Sequence, residues 1–383
     1  MAFDPNAAAS PDSGIFGLLD SPEESRVVLL PVPWDATTSY RPGTAKGPDA
    51  ILEASRQVDL FDIETGKPYE AKLALLEPSE HVASWNAAAR AAAVPIIEAG
   101  GQVEGSAKLE SLLAIVNDFG EKLNDDVYAR TREWLGRGKI VGLVGGDHST
   151  PFGSIRAHAE KFPGLGVLHL DAHADLREAF EGFEWSHASI MENVTRRIDG
   201  VKKLVQVGIR DFCEEEFDRI RGSRGRIETH FDVEIAEARR RGALEKRFAE
   251  IARALPQKVY VSFDIDGLDP VLCPSTGTPV PGGLAFHEAS ALLRAVVAAG
   301  RTIVGFDLNE VAPGEGDGPA SEWDGNVGAR LLYKMIGWTL LSQGIGRPPA
   351  RIAKTSPRRP APTRPPRRKP AKAPRAPASR PKR

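Results

Sequence analysis

From Ile140 onward the sequence alternates short apolar runs with longer helical patterns. The runs near 140–144, 165–170, 203–207, 258–263 and 302–307 read as short buried strands. Helical spacing near 151–161, 188–198, 232–253, 287–299 and 323–342 separates them, and Arg226 to Phe231 reads as another strand. Strands that return through helices pair in the same direction, and such a sheet must be covered on both sides. The expected fold is α/β, with a mostly parallel central sheet and helices on both faces.

Upstream, Val27 to Pro31 is an apolar strand that Pro31-Val32-Pro33 should stop. A Gly- and Pro-punctuated loop, Trp34 to Pro48, follows it and leads into a helix at about 48–55; its length places it near the mouth of a site. Residues 1–25 read as an irregular leader. Between about 62 and 137 two helical patterns, roughly 81–99 and 107–135, flank Gly100-Gly101 and read as a helical insertion or an oligomer contact.

Chemistry concentrates where three strands end. The run Val167 to Leu170 delivers Asp171, His173 and Asp175 at alternate positions, so an extended segment turns them to one side. Val144-Gly-Gly-Asp-His-Ser149 follows another strand, and Val261-Ser-Phe-Asp-Ile-Asp-Gly-Leu-Asp-Pro270 places Asp264 and Asp266 on one face of a third. Sites in open α/β sheets form outside the carboxyl ends of strands. The resulting donors, His148, Asp171, His173, Asp175, Asp264 and Asp266, are oxygen-rich and too many for one ion. They point to two divalent cations that share carboxylates.

These three motifs, in this order, resemble the metal-binding signatures of the ureohydrolase superfamily, which includes arginase, agmatinase, guanidinobutyrase and formiminoglutamase. The resemblance covers roughly Val27 to Leu341 and implies the three-layer arginase fold within a catalytic domain of residues 26–345. It implies one ion held by His148, Asp171, Asp175 and Asp264, and another by His173, Asp171, Asp264 and Asp266. Two Mn²⁺ per subunit are expected, with Ni²⁺ or Zn²⁺ open. The reaction implied is hydrolysis of a guanidinium to urea and an amine, in an enzyme that is a homo-oligomer, trimer or hexamer. Glu310, in Phe306-Asp-Leu-Asn-Glu-Val311, matches the guanidinium-binding glutamate. His187, in Trp185-Ser-His-Ala-Ser189, matches the histidine that shuttles a proton to the leaving amine, although Ala188 stands where Gly is common. Thr276 and Thr278 match a loop that supports the substrate. His169, deeper on its strand, reads as a packing residue.

Two departures from arginase bear on the substrate. The stretch Ala179 to Trp185 lacks the Asn and Ser by which arginase binds an α-carboxylate, and arginase's anchoring acid after Arg-Asp falls on Cys213. Agmatine is the expected substrate, with guanidinobutanoate, guanidine, formiminoglutamate and arginine as alternatives.

Charge is unevenly distributed. Of 50 Lys and Arg residues, 14 fall between Arg347 and Arg383, where no Asp or Glu occurs, so 36 basic residues face 52 acidic ones in the rest. The segment 346–383 is rich in Pro and Ala and poor in large apolar residues, which is the composition of a disordered tail. Its charge suits contact with polyanions. Cys213 and Cys273 show no paired spacing, which fits a reducing cytoplasm. There is no signal-peptide pattern and no membrane-spanning run.

Overall fold

The computed structural model describes residues 4–316, 318 and 321–349. Eight strands form one sheet: β1 (Val27–Val32), β2 (Leu73–Leu75), β3 (Ile140–Gly145), β4 (Leu165–Leu170), β5 (Val201–Ile209), β6 (Ile227–Phe231), β7 (Lys258–Asp264) and β8 (Thr302–Asn309). Their order across the sheet is β2-β1-β3-β8-β7-β4-β5-β6. Every pairing is parallel.

The helices are α1 (Gly47–Ser55), α2 (Val82–Glu98), α3 (Ala107–Gly136), α4 (Phe152–Lys161), α5 (Ile190–Arg197), α6 (Glu214–Gly222), α7 (Asp232–Arg240), α8 (Leu244–Ala254), α9 (Phe286–Ala298) and α10 (Trp323–Ser342). Alternate strand residues face opposite helical layers. Leu29, Leu168, Val205, Val261 and Phe306 pack with residues of α1, α8, α9 and α10. Val28, Val141, Val167, Leu204 and Tyr260 pack with residues of α2 to α5. Both faces are thus buried, which is why the strands are apolar at consecutive positions.

Four local details differ from the sequence expectation. Pro31 does not stop β1: pairing with β2 ends at Leu29, while Pro31 and Val32 still pair with β3. The proline therefore sits where one side of the strand has no neighbour needing its N–H. The helix expected over 232–253 breaks into α7 and α8 at Gly242, which has φ +64°. Strand β2 has three residues, too few to show a period, and α6 begins with the acidic run Glu214–Glu216.

Residues 62–137 supply β2 to the edge of the sheet and α2 and α3 to one helical layer. In the leader, Ile15, Phe16 and Leu18 enter the core, and Phe16 N–H donates to Ser55 Oγ at 2.9 Å. The described residues gather in one unit. Residues 350–383, most of the basic tail, lie outside the described residues. Among those described, no helix is long and apolar enough to cross a membrane.

Candidate metal centre and cavity

Strands β3, β8, β7 and β4 are consecutive in the sheet, and their carboxyl ends carry the candidate residues. The chain leaves β3 for β4, on the far side of β8 and β7, so the order reverses here and opens a crevice. After β3 the backbone turns under Trp34. A Cβ on Gly146 would lie 1.9 Å from the Trp34 carbonyl, and one on Gly145 would lie 1.9 Å from Asn309 Oδ1. Only glycine permits that approach, and it brings His148 over the sheet.

Nδ1 of His148 meets three carboxylates: Asp171 Oδ2 at 3.0 Å, Asp175 Oδ2 at 3.3 Å and Asp264 Oδ2 at 3.3 Å. Nδ1 of His173 lies 3.1 Å from Asp266 Oδ2 and 3.5 Å from Asp171 Oδ1. Asp171 thus offers one oxygen to each imidazole. Backbone donors aim these acids: His173 N–H to Asp171 Oδ1 (2.6 Å), Asp266 N–H to Asp264 Oδ1 (2.8 Å) and Ala172 N–H to Asp266 Oδ1 (3.0 Å). Asp175 does not arrive by continued extension. Strand β4 ends at Leu170, and Asp175 swings in through a left-handed backbone, φ +54°, while its carbonyl accepts the N–H groups of Met191 and Glu192 at 3.0 Å each.

Four buried aspartates around three imidazoles are more negative charge than a protein interior holds unaided. Burial, then the charge of Asp171, pushes Asp175 up to about 8. Burial, then Asp266 and Asp171, holds Asp264 well above the usual carboxylate range. Two groups bring their donor atoms within 4.8 Å of one another: His148, His169, Asp171 and Asp175, and separately Asp171, His173 and Asp266. No thiolate belongs to either. An oxygen-rich donor set with this excess charge fits a pair of divalent cations.

Glu310 follows β8 with φ +62°, a strained backbone of the kind that collects at functional sites. Its Oε1 accepts the N–H of His148, and its carbonyl accepts the Thr276 hydroxyl at 2.8 Å. Thr276 thereby holds Glu310 in place. Burial, then the nearby charge of Asp147, holds the Glu310 carboxyl well above its ordinary range.

Beside the cluster opens a cavity of about 160 Å³ lined by Ser39, His173, Asp175, Arg177, Phe180, His187, Ala188, Asp211, Phe212, Glu216 and Thr278. His187 Nδ1 has no hydrogen-bond partner, and burial, reinforced by the imidazoles of His173 and His148, pushes its pKa down to about 4. The loop carrying Phe180 and His187 is plugged into the α2–α3 layer. Phe183 is fully buried among Ala92, Ala93, Ile96, Val103 and Val116, and Glu184 N–H donates to Asn117 Oδ1 at 3.0 Å. The Trp34–Pro48 loop is pinned from the same layer. Asn86 exchanges two bonds with Asp35, and Arg90 donates to the Ala36 and Thr38 carbonyls. Ser39 of that loop lines the cavity.

The structure gathers all six expected metal donors. It places His187 and Thr278 on the cavity wall and Glu310 against His148. The sequence reading took His169 for a packing residue, whereas it joins the cluster through Asp171 at 2.8 Å; its signal was the same two-residue alternation extended one step back, 169, 171, 173, 175. It left out Ser262 and Asp307, hidden in apolar strands, and did not single out the wall residues Phe180, Asp211 and Phe212, although they lie in or beside the stretches compared with arginase for its head-group anchors.

Residues 25–337 match the Arginase family. The N(1)-aminopropylagmatine ureohydrolase of Thermus thermophilus is 36% identical over 332 residues, spanning 86% of this chain and 96% of its own. The agmatinase of Bacillus anthracis is 32% identical over 291 residues, 76% of this chain and 85% of its own. Among solved structures, proclavaminate amidino hydrolase from Streptomyces clavuligerus superposes with a TM-score of 0.63 at 27% identity, over 87% of this chain and all of that one.

Proposed function

The chain belongs to the arginase family and is a metal-dependent amidinohydrolase, and on that premise we propose that it hydrolyses agmatine to urea and putrescine. His148, Asp171, Asp175 and Asp264 would hold one cation, and His173, Asp171, Asp264 and Asp266 the other. Mn²⁺ suits these donors, with Ni²⁺ and Zn²⁺ as rivals that supply decides. When bound, such a pair acidifies water and so provides a nucleophile near neutral pH.

The chain's own residues supply the rest. Glu310, ionised once a guanidinium lies against it, orients that group with charge-assisted hydrogen bonds, presenting its carbon for attack. His187, half-buried on the cavity wall and kept neutral by desolvation, takes a proton at one ring nitrogen and releases another towards the departing amine. Thr278, on the cavity wall, contacts the alkyl chain. Thr276 acts through Glu310.

The observation that carries the substrate is the charge of the cavity wall. Asp211 presents a carboxylate with no hydrogen-bond or ion-pair partner among the described residues, whereas Arg177 has Glu216 at 3.7 Å and the Phe180 ring at 5.3 Å. Arg210 spends its guanidinium on the carbonyls of Gly208, Asp266, Leu268 and Val280. The free charge is negative and suits a tail ending in an ammonium. N(1)-aminopropylagmatine, which has such a tail and appears in the names of similar proteins, is the second reading. The test is urea release by metal-loaded protein from agmatine, N(1)-aminopropylagmatine, 4-guanidinobutanoate, arginine and guanidine. Highest kcat/KM on one of the last three overturns the cationic-tail reading.

The subunit is proposed to assemble into a trimer or hexamer in the cytoplasm, where its two free thiols stay reduced; light scattering tests the assembly. The tail is proposed to bind polyanions through its 14 basic residues. Salt-dependent DNA binding that vanishes on removing 347–383 is the expected result, and binding that persists without the tail overturns it.

A further inference from the structure

A polar row crosses the sheet directly below the cluster. Thr229 of β6, Gln206 of β5, His169 of β4, Ser262 of β7 and Asp307 of β8 are in register on five adjacent strands. The row two residues earlier, Ile227, Leu204, Val167 and Tyr260, is apolar. Gln206, His169, Ser262 and Asp307 are fully buried, and polar groups so placed are costly unless their bonds are made.

Those bonds have one permitted direction. The carbonyl of Ala174 can only accept, so the Gln206 amide must present its NH₂ there, at 2.7 Å. The same nitrogen reaches His169 Nδ1 at 3.0 Å, and the amide oxygen accepts the Thr229 hydroxyl at 2.9 Å. His169 Nδ1 is therefore an acceptor, and the ring proton sits on Nε2. That N–H donates to Asp171 Oδ2 at 2.8 Å. A protonated ring nitrogen has no lone pair for a cation. At the other end of the row, His148 Nε2 lies 2.9 Å from Ser262 Oγ, whose hydroxyl donates to Asp307 Oδ1 at 2.9 Å. The hydroxyl proton is thus committed, so His148 Nε2 is the donor and Nδ1 keeps the lone pair facing the three aspartates.

The geometry points to His169 as a positioning residue of the metal centre rather than a ligand. Gln206 and Thr229 fix its tautomer, and it holds Asp171, the carboxylate placed between His148 and His173. This inference rests on the metal centre proposed above. Partners that orient a metal's ligands typically change affinity by about 10- to 100-fold when removed.

The test is Mn²⁺ binding by the full chain. His169→Phe should bind Mn²⁺ about 10- to 100-fold more weakly. His169→Gln, whose amide can still donate to Asp171, should recover most of that loss. Thr229→Val, which frees the Gln206 amide, should shift affinity in the same direction by less. Independently, nitrogen-15 NMR of the unaltered chain should show His169 as the Nε2–H tautomer before and after loading with Cd²⁺; this decides the matter even if His169→Phe fails to fold. Unchanged Mn²⁺ affinity in His169→Phe, or loss of the Nε2 proton on Cd²⁺ loading, overturns the positioning role alone. An unaltered chain that binds no Mn²⁺ overturns the metal centre and this role with it.

Discussion

The carboxylate of Glu310 accepts the backbone N–H of His148 at 2.8 Å. One side chain thereby ties the end of β8 to the loop after β3, and leaves Oε2 beside Gly277. Glu310→Gln keeps an oxygen for that N–H but removes the charge offered to a guanidinium. The expected result is an unchanged melting temperature with kcat/KM on agmatine lowered by about 10- to 100-fold, the worth of a hydrogen bond to a charged group. Full activity in this variant would remove Glu310 from substrate binding.

Asp171 faces both His148 and His173, whereas Asp266 faces only His173 among the imidazoles. Asp171→Ala should therefore lose both ions and Asp266→Ala chiefly one. Elemental analysis of metal per subunit distinguishes them. A full complement in Asp171→Ala would contradict the shared carboxylate.

Asp211 sits on the cavity wall with its backbone bridged to His173. If it meets the ammonium of the substrate, Asp211→Asn should lower kcat/KM on agmatine by about three- to tenfold, as for a partly screened ion pair, and leave neutral butylguanidine unaffected. Added salt should erode the unaltered enzyme's preference for agmatine. An equal effect on both substrates would show that Asp211 does not read tail charge.

His158 is buried against Gly305 and Tyr260, with Nδ1–H on the Ser154 carbonyl and no partner for Nε2. Burial lowers its pKa from 6.5 to about 4. The unfolded chain therefore binds the proton first as pH falls. This contribution is complete above pH 6.5, is lost progressively between 6.5 and 4, and amounts to about 3 kcal/mol at most. In His158→Gln the fall in melting temperature over that interval should be shallower than in the parent. Identical slopes would mean that other groups govern acid stability.

Phe183 is the loop's plug in the α2–α3 layer. Phe183→Ala should cost about 3–5 kcal/mol by leaving a cavity, and should slow turnover by loosening the loop that carries His187. Thermal unfolding and kcat measured on the same preparation test both. Unchanged kcat in a folded, destabilised variant would show that the socket serves stability alone.

The sequence by itself determined the parallel sheet, because strands buried on both faces must be apolar throughout and each must be reached through a helix. It also determined the six candidate donors, because strand ends place period-two residues together whatever surrounds them. Tertiary structure decided how those residues are aimed. Asp175 reaches the cluster by a left-handed turn rather than by extension, and His169 joins it because Gln206, 37 residues away, fixes its tautomer. The cavity wall was likewise hidden, since Asp211 and Phe212 line one cavity with Phe180, whose loop is anchored by Phe183 in the distant α2–α3 layer. Local alternation is written in neighbouring residues, whereas orientation depends on hydrogen bonds and packing between segments that the chain order keeps apart.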